Sequence, residues 1–177
     1  QKLAFANSYD TETGIDLEGT KSLEGRTLKD GEFTFEVKDK AGKVVATGSN
    51  KSDGSISFNN KLNYKLSDLE KADGSYESEK TYEYTVNEVI PEGATAENNY
   101  TVNGVTYDSK TVNVKVTVTY NKETGELKAE LAKDSEAIAF QNSYETKTSI
   151  GLEGTKSLSG RTLKDGEFTF EVKDKAG

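Results

Sequence analysis

A stretch of 26 residues occurs twice in this chain. Residues 17–42 read LEGTKSLEGRTLKDGEFTFEVKDKAG, residues 152–177 read LEGTKSLSGRTLKDGEFTFEVKDKAG, and only Glu24 against Ser159 differs. The same offset of 135 carries Phe5-Ala6-Asn7-Ser8-Tyr9 onto Phe140-Gln141-Asn142-Ser143-Tyr144, and 33 of the 42 overlapping positions are identical. A period of that length is too long for a solenoid unit and suits a whole domain. Tandem domains are therefore expected. Residues 1–10 would be the last strand of one repeat, 11–145 a complete repeat, and 146–177 the first strands of the next, incomplete. The polar, Thr-rich stretches near 10–16 and 145–151 suit such boundaries. A single duplicated domain is the alternative, but the residues between the copies show no further duplication.

Nearly every segment alternates with the period of a strand. Phe33, Phe35 and Val37 alternate with Glu32, Thr34 and Glu36. Val112, Val114, Val116, Val118 and Tyr120 form a longer series, and Leu127, Ala129 and Leu131 a shorter one. Each pattern predicts a strand with one buried and one wet face. Asp30-Gly31, Asp53-Gly54, Asp73-Gly74, Asn103-Gly104 and Thr124-Gly125 are turn signals between them. A short helical turn is expected near Ser67–Lys71. Many short strands separated by turns predict an all-β, immunoglobulin-like antiparallel sandwich.

Composition removes much chemistry. The 177 residues include no Cys and no His, so there is no disulfide, no usual zinc site and no Ser-His-Asp catalysis. A net charge of −8 makes nucleic acid and anionic membranes poor partners. No apolar run approaches a membrane span, and no N-terminal segment reads as a signal peptide. An exported parent protein would contain this chain as an internal piece. No cofactor or metal is expected. The Asp53-Gly54 and Asp73-Gly74 pairs lack the acidic spacing of a calcium loop.

Three strands place a polar residue on the apolar face. Lys21 shares parity with Ile15, Leu17 and Leu23; Glu88 with Tyr82, Tyr84, Val86 and Ile90; Asn142 with Ile138, Phe140 and Tyr144. Burial shifts a lone lysine and a lone glutamate toward their neutral forms. A neutral amine is a nucleophile, and a protonated carboxyl can donate to an amide carbonyl and polarise it. Beside an asparagine these groups could complete a reaction. The amine attacks the carboxamide carbon, ammonia leaves, and a Lys–Asn isopeptide bond remains. Parity also allows an ordinary buried Lys21–Glu88 ion pair, or a bulge that returns one of the three to solvent. Lys29, in a Lys-Asp-Gly turn, and Asn60, at a strand end, are weaker candidates.

The string from Gly19 to Phe35 (GTKSLEGRTLKDGEFTF) resembles the opening of the streptococcal pilin isopeptide linkage domain family, of FctA type. Later segments agree in order. Asn50–Phe58 resembles the family's turn and strand, Tyr82–Val89 its aromatic strand ending in Glu, Tyr107-Asp108 the step before a Val-rich strand, and Phe140–Tyr144 its closing Phe-x-Asn-x-Tyr. The resemblance covers residues 17–144. It implies an inverse immunoglobulin-like sandwich similar to collagen-adhesin B-type repeats. It also implies a bond between Lys21 and Asn142, with Glu88 as the catalytic acid. Related surface repeats form Thr–Gln esters with the help of a histidine, which this chain lacks.

The expected function is a structural stalk repeat of a Gram-positive, cell-wall-anchored adhesin or pilus protein that reacts once with itself and is no turnover enzyme. A ligand-binding adhesin module, whose host ligand the sequence does not name, and a sortase-polymerised pilin subunit are the alternatives. Asn7 matches Asn142 and Lys156 matches Lys21, yet the chain has no second copy of the Glu88 strand. Neither is therefore expected to form its own bond within one chain. Neighbouring repeats are the expected partners. Residues 1–9 or 152–177 could also pair with the sheet edge of another molecule.

Overall fold

The computed structural model describes residue 7 and residues 9–175. The chain divides into two units, residues 1–146 and 147–177.

Among its described residues the first unit holds twelve strands: β1 (Glu12–Ile15), β2 (Glu18–Glu24), β3 (Thr34–Asp39), β4 (Val44–Asn50), β5 (Ser55–Phe58), β6 (Leu62–Lys65), β7 (Glu79–Glu88), β8 (Thr101–Val102), β9 (Val105–Thr106), β10 (Thr111–Tyr120), β11 (Leu127–Leu131) and β12 (Ala139–Tyr144). A 3-10 turn spans Leu66–Leu69, where a helical turn is expected, and a second spans Ala96–Asn98. Among the described residues no helix is long and apolar enough to cross a membrane.

Ten strands form one sheet in the order β11-β10-β7-β3-β4-β5-β2-β12-β9-β8, and β1 pairs with β6. The ten-stranded sheet curls back on itself. Strands β7 and β2 are four places apart in it, yet side chains from the two meet. Likewise the Phe35 ring of β3 lies 5.1 Å from the Phe140 ring of β12. The space enclosed is filled by the alternating residues. Phe35, Val37, Val86, Val114, Val116 and Val118 are all buried. Each side chain of this kind contributes about 1.5–3 kcal/mol when fully buried. The fold is thus the expected all-β sandwich, with one pairing that alternation cannot reveal: β2 and β12 run parallel, Lys21 beside Phe140 and Leu23 beside Asn142.

Two glycines let β2 and β12 approach. A Cβ on Gly19 would stand 2.6 Å from Ile138 Cγ2. Gly25, at φ +91°, has the Tyr144 carbonyl where a Cβ would project. The Asn103-Gly104 pair joins β8 to β9 with both residues at positive φ (50° and 81°), as a two-residue type I′ hairpin requires.

Of the strand expected over residues 1–10, residues 1–6 and 8 lie outside the described residues. Asn7, Tyr9 and Asp10 are exposed and in no strand. In the second unit, residues 147–175 form turns and no strand.

Candidate functional site

Lys21, Glu88 and Asn142 reach one point in the core from three strands. Lys21 lies on the inner face of β2, four residues after the buried Leu17, Glu88 ends β7 two residues after the buried Val86, and Asn142 follows Phe140 in β12. Together with Asn50 they are the buried polar residues among those described, at 1–5% exposure.

A single carboxylate joins the other two. Lys21 Nζ donates to Glu88 Oε2 at 2.8 Å, and Asn142 Nδ2 donates to Glu88 Oε1 at 2.7 Å. The Lys21 amine lies over the Phe33 ring at 4.5 Å and near that of Phe35 at 5.9 Å. Tyr107 packs edge-on against Phe33 at 5.8 Å. These rings keep the cluster dry. The Lys21 and Glu88 side chains have no solvent exposure.

The orientation of the Asn142 amide follows from its other neighbour. The Asp108 backbone N–H lies 2.8 Å from Oδ1. A backbone N–H can only donate, so it faces the carbonyl oxygen and leaves the NH2 group toward Glu88. From sequence, a protonated Glu88 is expected against the amide carbonyl. The structure sets Glu88 against the amide nitrogen and assigns the carbonyl to Asp108.

Burial lowers the Lys21 pKa, and contact with Glu88 only partly reverses this. Burial raises the Glu88 pKa, against the opposing pull of Lys21 and Asn142. Both shifts favour transfer of one proton from the ammonium to the carboxylate, leaving a neutral amine and a neutral acid. An ammonium has three N–H bonds to satisfy. Among the described residues the Lys21 nitrogen donates to one oxygen, that of Glu88.

Two site residues escape the parity argument. Asp108 precedes β10 in a loop, where no periodicity marks a residue; its signal is the Tyr107-Asp108 step. Asn50 sits on the inner face of β4, whose small residues make a weak pattern. It accepts from Phe33 N–H at 2.8 Å and donates to the carbonyls of Lys29 and Lys51, so it braces the turn before β3. The lesser candidates are exposed: Lys29 and Asn60 face solvent, and Asp53 and Asp73 accept from Ser55 and Ser75 within their own turns. Asn7 is exposed. Lys156 is exposed too, its amine 4.8 Å from the Phe168 ring.

No curated protein matches the sequence. The major pilin of Streptococcus pyogenes is similar in structure, with a TM-score of 0.40 and 19% identity, over 75% of this chain and 51% of that one. An asparagine-to-alanine mutant of the same pilin gives 0.39 at the same identity and coverage. The chain therefore spans about half the length of the pilin it matches. The family described as FctA, Spy0128-like isopeptide containing domain, matches residues 17–145, a span that includes Lys21, Glu88, Asp108 and Asn142. With most of its length matched, the chain belongs to the Spy0128-like isopeptide containing domain family.

Proposed function

We propose that residues 11–145 are a load-bearing repeat of a Gram-positive surface or pilus protein, closed by a bond that Lys21 and Asn142 form between themselves. The observation that carries this reading is the Glu88 carboxyl, held between amine and amide in a dry core. Glu88 takes a proton from the Lys21 ammonium through Oε2. The neutral amine adds to Asn142 Cγ, the protonated Glu88 carboxyl rotates to give that proton to the departing nitrogen, and the carboxylate then takes the surplus proton from Nζ. One C–N bond forms, one breaks, and ammonia leaves. Proximity in a water-excluded site supplies the rate that a free amine and amide lack. The reaction occurs once and is not turnover.

The bond would serve mechanics. Strands β2 and β12 are parallel neighbours, so a load entering before β2 and leaving after β12 shears one along the other. A link from Lys21 to Asn142 carries that load past the rest of the domain. On the same reading residues 146–177 open a following repeat, whose strands form once later residues supply their partners. The parent protein would then stand on the cell surface.

Intact mass tests the proposal. The folded chain should weigh less than its sequence by one ammonia, and Lys21→Ala, Glu88→Ala and Asn142→Ala should each show the full mass of the variant. A wild-type mass equal to the sequence mass leaves only the ion pair. Bond formation should also depend on pH in a bell shape, followed by mass in a chemically assembled chain diluted from denaturant. The pair reacts while holding one shared proton. A second proton at low pH keeps Lys21 an ammonium, and loss of the shared proton at high pH leaves Glu88 nothing to give the leaving group. Burial moves Lys21 down from 10.5 and Glu88 up from 4.5, so the two limbs should lie closer together than those values.

A further inference from the structure

We propose that the Asp108 backbone N–H is the oxyanion donor of this reaction, and that the Asp108 carboxylate positions it. This rests on the cross-linking reading above. When the Lys21 amine adds to Asn142 Cγ, the carbonyl electron pair moves onto Oδ1, and negative charge develops there until ammonia is expelled. Glu88 cannot stabilise that charge from where it stands, because its two oxygens face the amine and the amide nitrogen. The group that does face Oδ1 is the Asp108 N–H, at 2.8 Å. A backbone donor already in place needs no reorganisation as the charge forms.

The donor is held from both sides. Just before it, the Tyr107 N–H donates to the Tyr100 carbonyl at 3.0 Å. On the Asp108 side chain, Oδ2 accepts the Gln141 N–H at 3.0 Å, which ties the loop to β12 one residue before Asn142. Oδ1 accepts the Lys110 N–H at 3.2 Å, and the Lys110 ammonium lies 3.0 Å from Oδ2. Lys110 thereby offsets a carboxylate charge that would otherwise oppose the developing oxyanion. The Asp108 side chain thus clamps its own backbone N–H against the neighbouring strand.

The test removes the N–H and keeps the side chain. A chain assembled chemically in denaturant, with the Tyr107–Asp108 peptide link replaced by an ester, begins to fold and react only on dilution. The expected result is a chain with unaltered circular dichroism that loses ammonia about 100-fold more slowly or worse, the cost of one oxyanion donor. An ester at Gly125, whose N–H bonds the Asn121 carbonyl in a remote turn, should react at the wild-type rate. If the Asp108 ester does not fold, side-chain variants decide. Asp108→Ala should slow the reaction by about tenfold or more through misplacement of the donor. Asp108→Asn, which restores an acceptor for the Gln141 N–H, should recover most of that loss. An ester chain reacting at the wild-type rate, or Asp108→Ala matching wild type, overturns the inference and leaves the cross-link intact. A wild-type chain that loses no ammonia removes both.

Discussion

Stretched from its two ends, the wild-type chain should never release the segment between residues 21 and 142, whereas Lys21→Ala should release it in one step. In the unlinked variant the load passes through the hydrogen bonds between β2 and β12. Once these shear, the domain opens and adds roughly 400 Å of extended chain. With the proposed bond in place, the same load passes from the Lys21 side chain through an amide to Asn142. Non-covalent contacts inside the loop then carry none of it. Single-molecule force spectroscopy with flanking marker domains reads the difference directly. A wild-type trace containing the long step would mean that the ends of the domain are not covalently joined.

The second large effect is on stability. Glu88→Gln preserves shape but cannot accept and return a proton, so the bond should not form. Losing a cross-link that closes a loop of this length removes about 4–5 kcal/mol on the loop-entropy account. For a domain of this size that lowers the melting temperature by roughly 15 °C. Glu88→Gln should fall further than Lys21→Met. The glutamine leaves the Lys21 ammonium buried without a counterion, while the methionine removes the charge and leaves a carboxyl that burial already favours as neutral. Calorimetry on the three proteins checks both statements. Equal melting temperatures for wild type and Lys21→Met would show that no stabilising link is present.

Much of the architecture was legible in the residues because it rests on local rules. Alternation marks β3, β7, β10 and β11, since a strand facing a core must repeat every second residue. The glycines of Asp30-Gly31, Asp53-Gly54, Asp73-Gly74, Asn103-Gly104 and Thr124-Gly125 all adopt positive φ, as those turns require. Parity places Lys21, Glu88 and Asn142 on inner faces for the same reason. It could not say that they meet, because that depends on the curl of a sheet in which β2 and β7 are not neighbours. Nor could it assign the amide carbonyl to Asp108, a loop residue brought to β12 by tertiary contacts. Strands β4 and β8 were obscure in sequence, the first for its small residues and the second for its length of two.

The repeated 26 residues separate the two kinds of information. In both copies the turn glycines hold positive φ: Gly25 and Gly31 in the first, Gly160 and Gly166 in the second. Arg26 pairs with Glu32 and Arg161 with Glu167, while Lys21 lies over Phe33 and Lys156 over Phe168. Those features lie within 13 consecutive residues of each copy and need nothing else, so the sequence alone determines them. Among the described residues the strands do not recur. In the first copy Phe35 and Val37 are 0% exposed, in β3 between β4 and β7. Their counterparts Phe170 and Val172 are 74% and 78% exposed, in no strand. A strand satisfies its backbone hydrogen bonds and buries its apolar face only against other strands. The same residues therefore become a core, and Lys21 a buried amine beside Glu88, only where the tertiary structure supplies those partners.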